Sequence, residues 1–113
     1  MPKFLVSLYH PTDYDPTLME DSAMDRAIDE LNDEMIAAGV RHFVGGLYPV
    51  DRAHSLRAQA DGSVALSHGP YLNHREHIGG LWVLDTATLD EALDWGRKAA
   101  IACRAPVEVR PFH

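Results

Sequence analysis

The stretch Ser67–Asp85, S-H-G-P-Y-L-N-H-R-E-H-I-G-G-L-W-V-L-D, constrains the fold more than any other. Its second half, Ile78 to Leu84, is apolar on both faces and too short for a surface helix. Such a run reads as a strand in the middle of a sheet, where both faces are covered. Its first half carries Gly69-Pro70. Proline has no amide hydrogen to give and glycine adopts backbone angles other residues avoid, so regular structure stops there. A histidine-bearing turn is therefore expected at the end of a buried strand, a place where rigid scaffolds hold functional loops.

The rest of the chain supplies partners for that strand. Lys3–Tyr9 alternates as a strand, with Phe4, Val6 and Leu8 on one face and Leu5, Ser7 and Tyr9 on the other. His10-Pro11 ends it, and Thr12–Thr17 reads as a loop. A helix is expected from about Leu18 to Ala38, because Met24, Ile28, Leu31 and Met35 recur at helical spacing opposite an acidic, solvated face. Gly39 suits the position just past its end. Val40–Tyr48 reads as a strand weakened by Gly45-Gly46 and stopped by Pro49. Ala53–Ala60 and Ser63–Ser67 read as a hairpin turning through Asp61-Gly62, a pair typical of type I′ turns. Thr88 and Glu91 form a capping box for a helix running to about Ile101, in which Gly96 permits close packing. Val107–Arg110 closes the pattern as a short strand.

The expected order is β-α-β-(β-β)-β-α-β in one domain, residues 1–113. It implies an α+β ferredoxin-like sandwich with an inserted β-hairpin, both helices on one sheet face. The other face would carry apolar residues of the first and fifth strands, and an uncovered apolar face marks an interface. A homodimer is therefore expected.

Charge and composition bound the function. A net charge of -7 with no Lys/Arg cluster argues against nucleic acid. No apolar run approaches the roughly 20 residues that span a bilayer. Met1–Tyr9 lacks the basic and apolar segments of a signal peptide, so no membrane partner and a cytoplasmic setting are expected. The one cysteine, Cys103, sits among apolar neighbours and reads as a buried structural thiol.

The residues also resemble a known family. His68-Gly69-Pro70-Tyr71-Leu72-Asn73-His74-Arg75-Glu76, the Gly79-Gly80 strand, Leu89-Asp90-Glu91-Ala92 and Val107-Glu108-Val109-Arg110-Pro111 resemble the YCII-related proteins, in particular the branch named for a D-G-P-F motif. The resemblance implies a dimeric α+β barrel. The motif departs here: His68 stands for its Asp, Tyr71 for its Phe and Asn73 for its acidic residue, while Gly69, Pro70 and Glu76 are kept. Any chemistry carried by the two replaced carboxylates is absent from this chain. A His-Asp pair near the first strand is proposed for YCII proteins proper; His10 and Asp13 occupy only the corresponding region.

Seven histidines are many for 113 residues, and His68, His74 and His77 fall close together. Histidine serves both as metal ligand and as acid/base near neutral pH. H-R-E-H matches no zinc-protease spacing, and a zinc site would need ligands from His10, His42 or His54. No cofactor and no metal are called for. Solvent-facing loop histidines remain the plain alternative. The enzymatic expectation gives a small-molecule cleft in which His68 or His10 moves a proton. Tyr9, Tyr71 and Trp82 line that cleft, and Arg75 holds an anionic group. The other expectation is a non-catalytic ligand-binding protein, with Tyr71 and Trp82 as core or dimer contacts.

Overall fold

The central strand has the neighbours its composition demands. The computed structural model describes residues 1–113. Strand β5 (Glu76–Asp85) lies between β1 (Lys3–Pro11) and β2 (Arg41–Gly46), and β6 (Val107–Pro111) flanks β1 on the far side. All the pairings are antiparallel and the order is β2-β5-β1-β6. This is the ferredoxin-like arrangement, with α2 (Ser22–Ala37) and α3 (Leu89–Cys103) as the crossing helices. Strands β3 (His54–Ala58) and β4 (Val64–His68) form the inserted hairpin as a separate two-stranded sheet. No helix is long and apolar enough to cross a membrane.

The core forms where the helical stripe meets the inner sheet face. Met24, Leu31 and Met35 of α2 and Ala99, Ala102 and Cys103 of α3 pack on Val6, Leu8, Trp82 and Leu84. Strand alternation turns Leu5, Tyr9, Leu81 and Val83 to the opposite face, where they are half-buried and no helix covers them. Gly96 lets α3 approach β6 closely: a Cβ there would lie 2.7 Å from Val109 Cγ2. The Trp82 indole donates to Asn32 Oδ1 at 3.0 Å, which satisfies a polar atom inside the core.

Three local expectations are corrected. The helix predicted from Leu18 is two helices. Asp15 accepts from Thr17 N and starts a four-residue helix, α1 (Pro16–Met19), with Pro16 in its first turn. Glu20 then turns extended (φ -109°, ψ 143°), and Asp21 caps α2 by accepting from Met24 N. Asp21 also takes two hydrogen bonds from Arg104 at the end of α3, at 3.0 and 3.2 Å. These contacts, with the backbone amide, hold its carboxyl below the usual range.

The hairpin turn is not type I′. Of its central residues only Gly62 has positive φ, at +90°, whereas type I′ needs two such residues. Gly62 N donates to Gln59 O, and Gln59 N donates to Ser63 O, so the strands stop at Ala58 and Val64. Asp61 Oδ1 accepts from both Ser63 N and Oγ, which holds the wider loop. Finally, β2 stops at Gly46 rather than Tyr48, although Leu47 N still reaches Gly79 O at 2.9 Å.

Leu84 is fully buried and Ile101 is 79% exposed. Leu84→Ala is expected to lose about 2–5 kcal/mol of stability in urea unfolding, and Ile101→Ala less than about 0.5 kcal/mol. Equal losses would contradict this core.

Candidate functional site

One irregularity in the central pairing shapes the site. The β1–β5 register runs Leu8↔Gly80 and then Tyr9↔Ile78, leaving Gly79 as an extra residue. A bulge of this kind bends the strand and re-aims the side chains beyond it. Here it brings His77 opposite His10. It also removes the side chain that would obstruct His10: a Cβ on Gly79 would overlap the imidazole, with the ring Cε1 only 2.8 Å away. Glycine is required at that position by close approach, not by backbone angle.

The His10 ring is held by packing. Its other neighbour is Tyr14, stacked at 3.6 Å between centroids and 11° between planes. The Tyr14 hydroxyl donates to Glu20 Oε2 at 2.7 Å. The break between α1 and α2 sets Glu20 there. Burial lowers the His10 pKa below its ordinary value, and the Glu20 charge opposes that only in part. His10 is therefore a mostly neutral imidazole at pH 7, a form able to accept a proton. Burial, then the Glu20 hydrogen bond and charge, raises the Tyr14 phenol above its usual range, so Tyr14 stays protonated. Cys103, nearby, is pushed up to about 11 by burial first and Glu20 second, which keeps it an unreactive thiol.

His10, Tyr14 and Glu20 face a pocket of about 200 Å³ between the end of β1 and the Leu47–Val50 segment. Tyr48 and His77 complete its rim. His77 Nε2 donates to the His74 carbonyl at 3.0 Å, and Thr12 Oγ1 donates to the same carbonyl at 2.7 Å. The histidine turn is thereby tied to the end of β1.

The residues singled out from sequence do not all meet. His10 lines the pocket. Tyr9 and Tyr71 line a broader open groove beneath the hairpin, and Arg57 lies over the Tyr71 ring at 5.0 Å. Arg75 borders a separate shallow surface with Tyr9 and His74. His68 is exposed on β4, edge-on to its cross-strand partner His54 at 4.9 Å. Trp82 is a core residue, 3% exposed, whose indole borders an inner chamber behind His10. No group of three or more His, Cys, Asp or Glu side chains is placed to hold a metal ion. Tyr14 and Glu20 were missed from sequence. The signal for them was the pair of capping aspartates, Asp15 before Pro16 and Asp21 before Ser22, which together imply a helix break at Glu20.

His10 links the site to stability. Its folded pKa lies below its unfolded value of about 6.5. The unfolded chain therefore binds the extra proton first, and His10's contribution is present above about pH 6.5 and is lost as pH falls through the folded pKa. Urea unfolding at pH 7.5 and 5.5 should show a smaller loss in His10→Gln than in wild type. An identical loss would contradict the buried neutral ring.

With the geometry described, two similarities are informative. The sequence signature of the YCII-related domain matches residues 4–112. Over 95 residues the chain is 33% identical to a protein of Rhizobium meliloti (strain 1021) that carries the name uncharacterized protein R00369. That alignment takes in 82% of this chain and 76% of the other.

Proposed function

The chain belongs to the YCII-related family, and from that premise we propose a small-molecule enzyme in which His10 is the acid/base group, working in a cleft that a second copy of the chain completes. The observation that carries this is the His10 imidazole packed between Tyr14 and Gly79, where burial favours its neutral form and the Glu20 charge acts on it. An imidazole nitrogen takes a proton from the bound molecule and returns it at a second position. Glu20 stabilises the imidazolium formed in between, and the Tyr14 phenol keeps that carboxylate oriented. His68 takes no part in this scheme, because it stands on the hairpin outside the pocket. Placement in the D-G-P-F branch is part of the same reading, supported by Gly69-Pro70 in the motif's position. So is a cytoplasmic setting, where Cys103 remains a thiol.

Two features support the homodimer and a barrel formed by two sheets. The outer sheet face carries Leu5, Leu81 and Val83 with no helix over them. The hairpin has nothing of its own to pack on: Leu56, Val64 and Leu66 are 66%, 57% and 66% exposed. A lone two-stranded hairpin is marginal in water. The radius of gyration, 16.1 Å, exceeds the roughly 13 Å of a compact domain of this size, as a projecting arm requires.

Screening a broad substrate panel should find a turnover that His10→Ala lowers by about 100-fold or more and His68→Ala leaves unchanged. Ligands that stabilise the protein with no turnover of any would favour the non-catalytic binding protein instead. Sedimentation at micromolar concentration should give twice the chain mass, and Leu56→Asp with Leu66→Asp should shift it toward one chain. A wild-type monomer would contradict the dimer.

A further inference from the structure

On the α2 side of His10 a second chamber adjoins the pocket, and its walls specify what fits there. This inner space of about 200 Å³ lies between α2 and the sheet, against Met24, Ile28, Val44 and Trp82. His10, Glu20, Gly46 and Gly79 border both chambers, so the acid/base group stands at the junction. An apolar cavity of about 150 Å³ takes up benzene, and this one has room for a ring or a compact alkyl group.

Apart from the His10 ring and one Glu20 oxygen, its side-chain polar atoms are already engaged. Asn32 Oδ1 accepts from Trp82 and from Arg41 at 3.3 Å, and its Nδ2 donates to the Ile28 carbonyl at 3.0 Å. Glu20 accepts from Tyr14. No Lys or Arg lines either chamber. A carboxylate or phosphate entering would meet the Glu20 charge with no cation among the lining residues to pair with, and an unpaired charge taken out of water is costly. Glycine keeps the floor open: a Cβ at Gly46 would meet nothing within 4 Å.

We propose that the site takes an uncharged molecule of mixed polarity, its apolar ring or alkyl body in the inner chamber and a hydroxyl head against His10. The proposal rests on the acid/base reading only for the role of His10 toward the head group; the chamber stands without it. Phenol is the simplest probe, since its hydroxyl donates to the neutral imidazole while its ring fills the apolar space.

The test is an NMR-monitored titration of the full chain with phenol, toluene and benzoate. Phenol should bind saturably, with shifts at the Gly46 amide and the Trp82 indole, and benzoate should bind at least about tenfold more weakly. Gly46→Leu fills the chamber and should cost phenol about tenfold or more in affinity while the fold is kept. His10→Ala should lower phenol affinity toward that of toluene and leave toluene unchanged. Benzoate binding more tightly than phenol would overturn the proposal, as would a folded Gly46→Leu with undiminished phenol affinity. The phenol-over-benzoate ranking decides the matter even if Gly46→Leu fails to fold. Phenol binding in a protein that turns over nothing would remove the catalytic reading and leave this one standing. Turnover confined to anionic substrates would do the reverse.

Discussion

One extra residue in the central strand, Gly79, governs the site. Without it, the β1–β5 ladder would continue in step past Leu8 and Gly80, and the alternation of sides would carry on unbroken. With it, His77 stands opposite His10 and the imidazole rests where a side chain would otherwise be. The constraint works because β5 is locked on both edges, by β1 and by β2, so the irregularity cannot slide along the strand. The regular part of the sheet builds the core, and the first step beyond the irregularity builds the pocket.

The second constraint comes from the helix layer. Asp21 caps α2 and binds Arg104, which sits in the left-handed region at φ 52° just past α3. One side chain thereby ties the start of one helix to the end of the other. Glu20, immediately before it, is left extended and free to take the Tyr14 hydroxyl. The result is a carboxylate, a phenol and an imidazole in sequence, with burial keeping the imidazole neutral and the phenol protonated. The arrangement follows from a cap, an ion pair, a stack and a bulge.

Much of the fold was legible because its signals are strong and local. Ile78–Leu84 could hardly be anything but a central strand, and Thr88 with Glu91 marks α3 directly, Thr88 accepting from Glu91 N at 3.2 Å. The site was legible only in part. His10 stood out at the end of β1, yet nothing in the spacing tells that Tyr14 stacks on it, because that contact depends on how a loop folds back. Glu20 fell inside the helix expected from about Leu18, and only the Asp21 cap separates it from α2. His68 drew attention through the density of histidines nearby, but cross-strand pairing with His54 sets it on the hairpin, away from the pocket. Trp82 was open to both a cavity wall and a core contact, the latter the commoner role for such an aromatic, and Asn32, 50 positions away in sequence, accepts its indole hydrogen within the core.

The state of the His10 ring tests the account most directly. Side-chain NMR of the wild-type protein gives both its titration and its contacts. The structure predicts a midpoint below the ordinary histidine value, a neutral ring at pH 7, and close proton contacts to the Tyr14 ring and the Gly79 α-hydrogens. A ring that titrates at or above the ordinary value, with no contact to Tyr14, would mean that His10 is an exposed side chain and that the bulge serves no site.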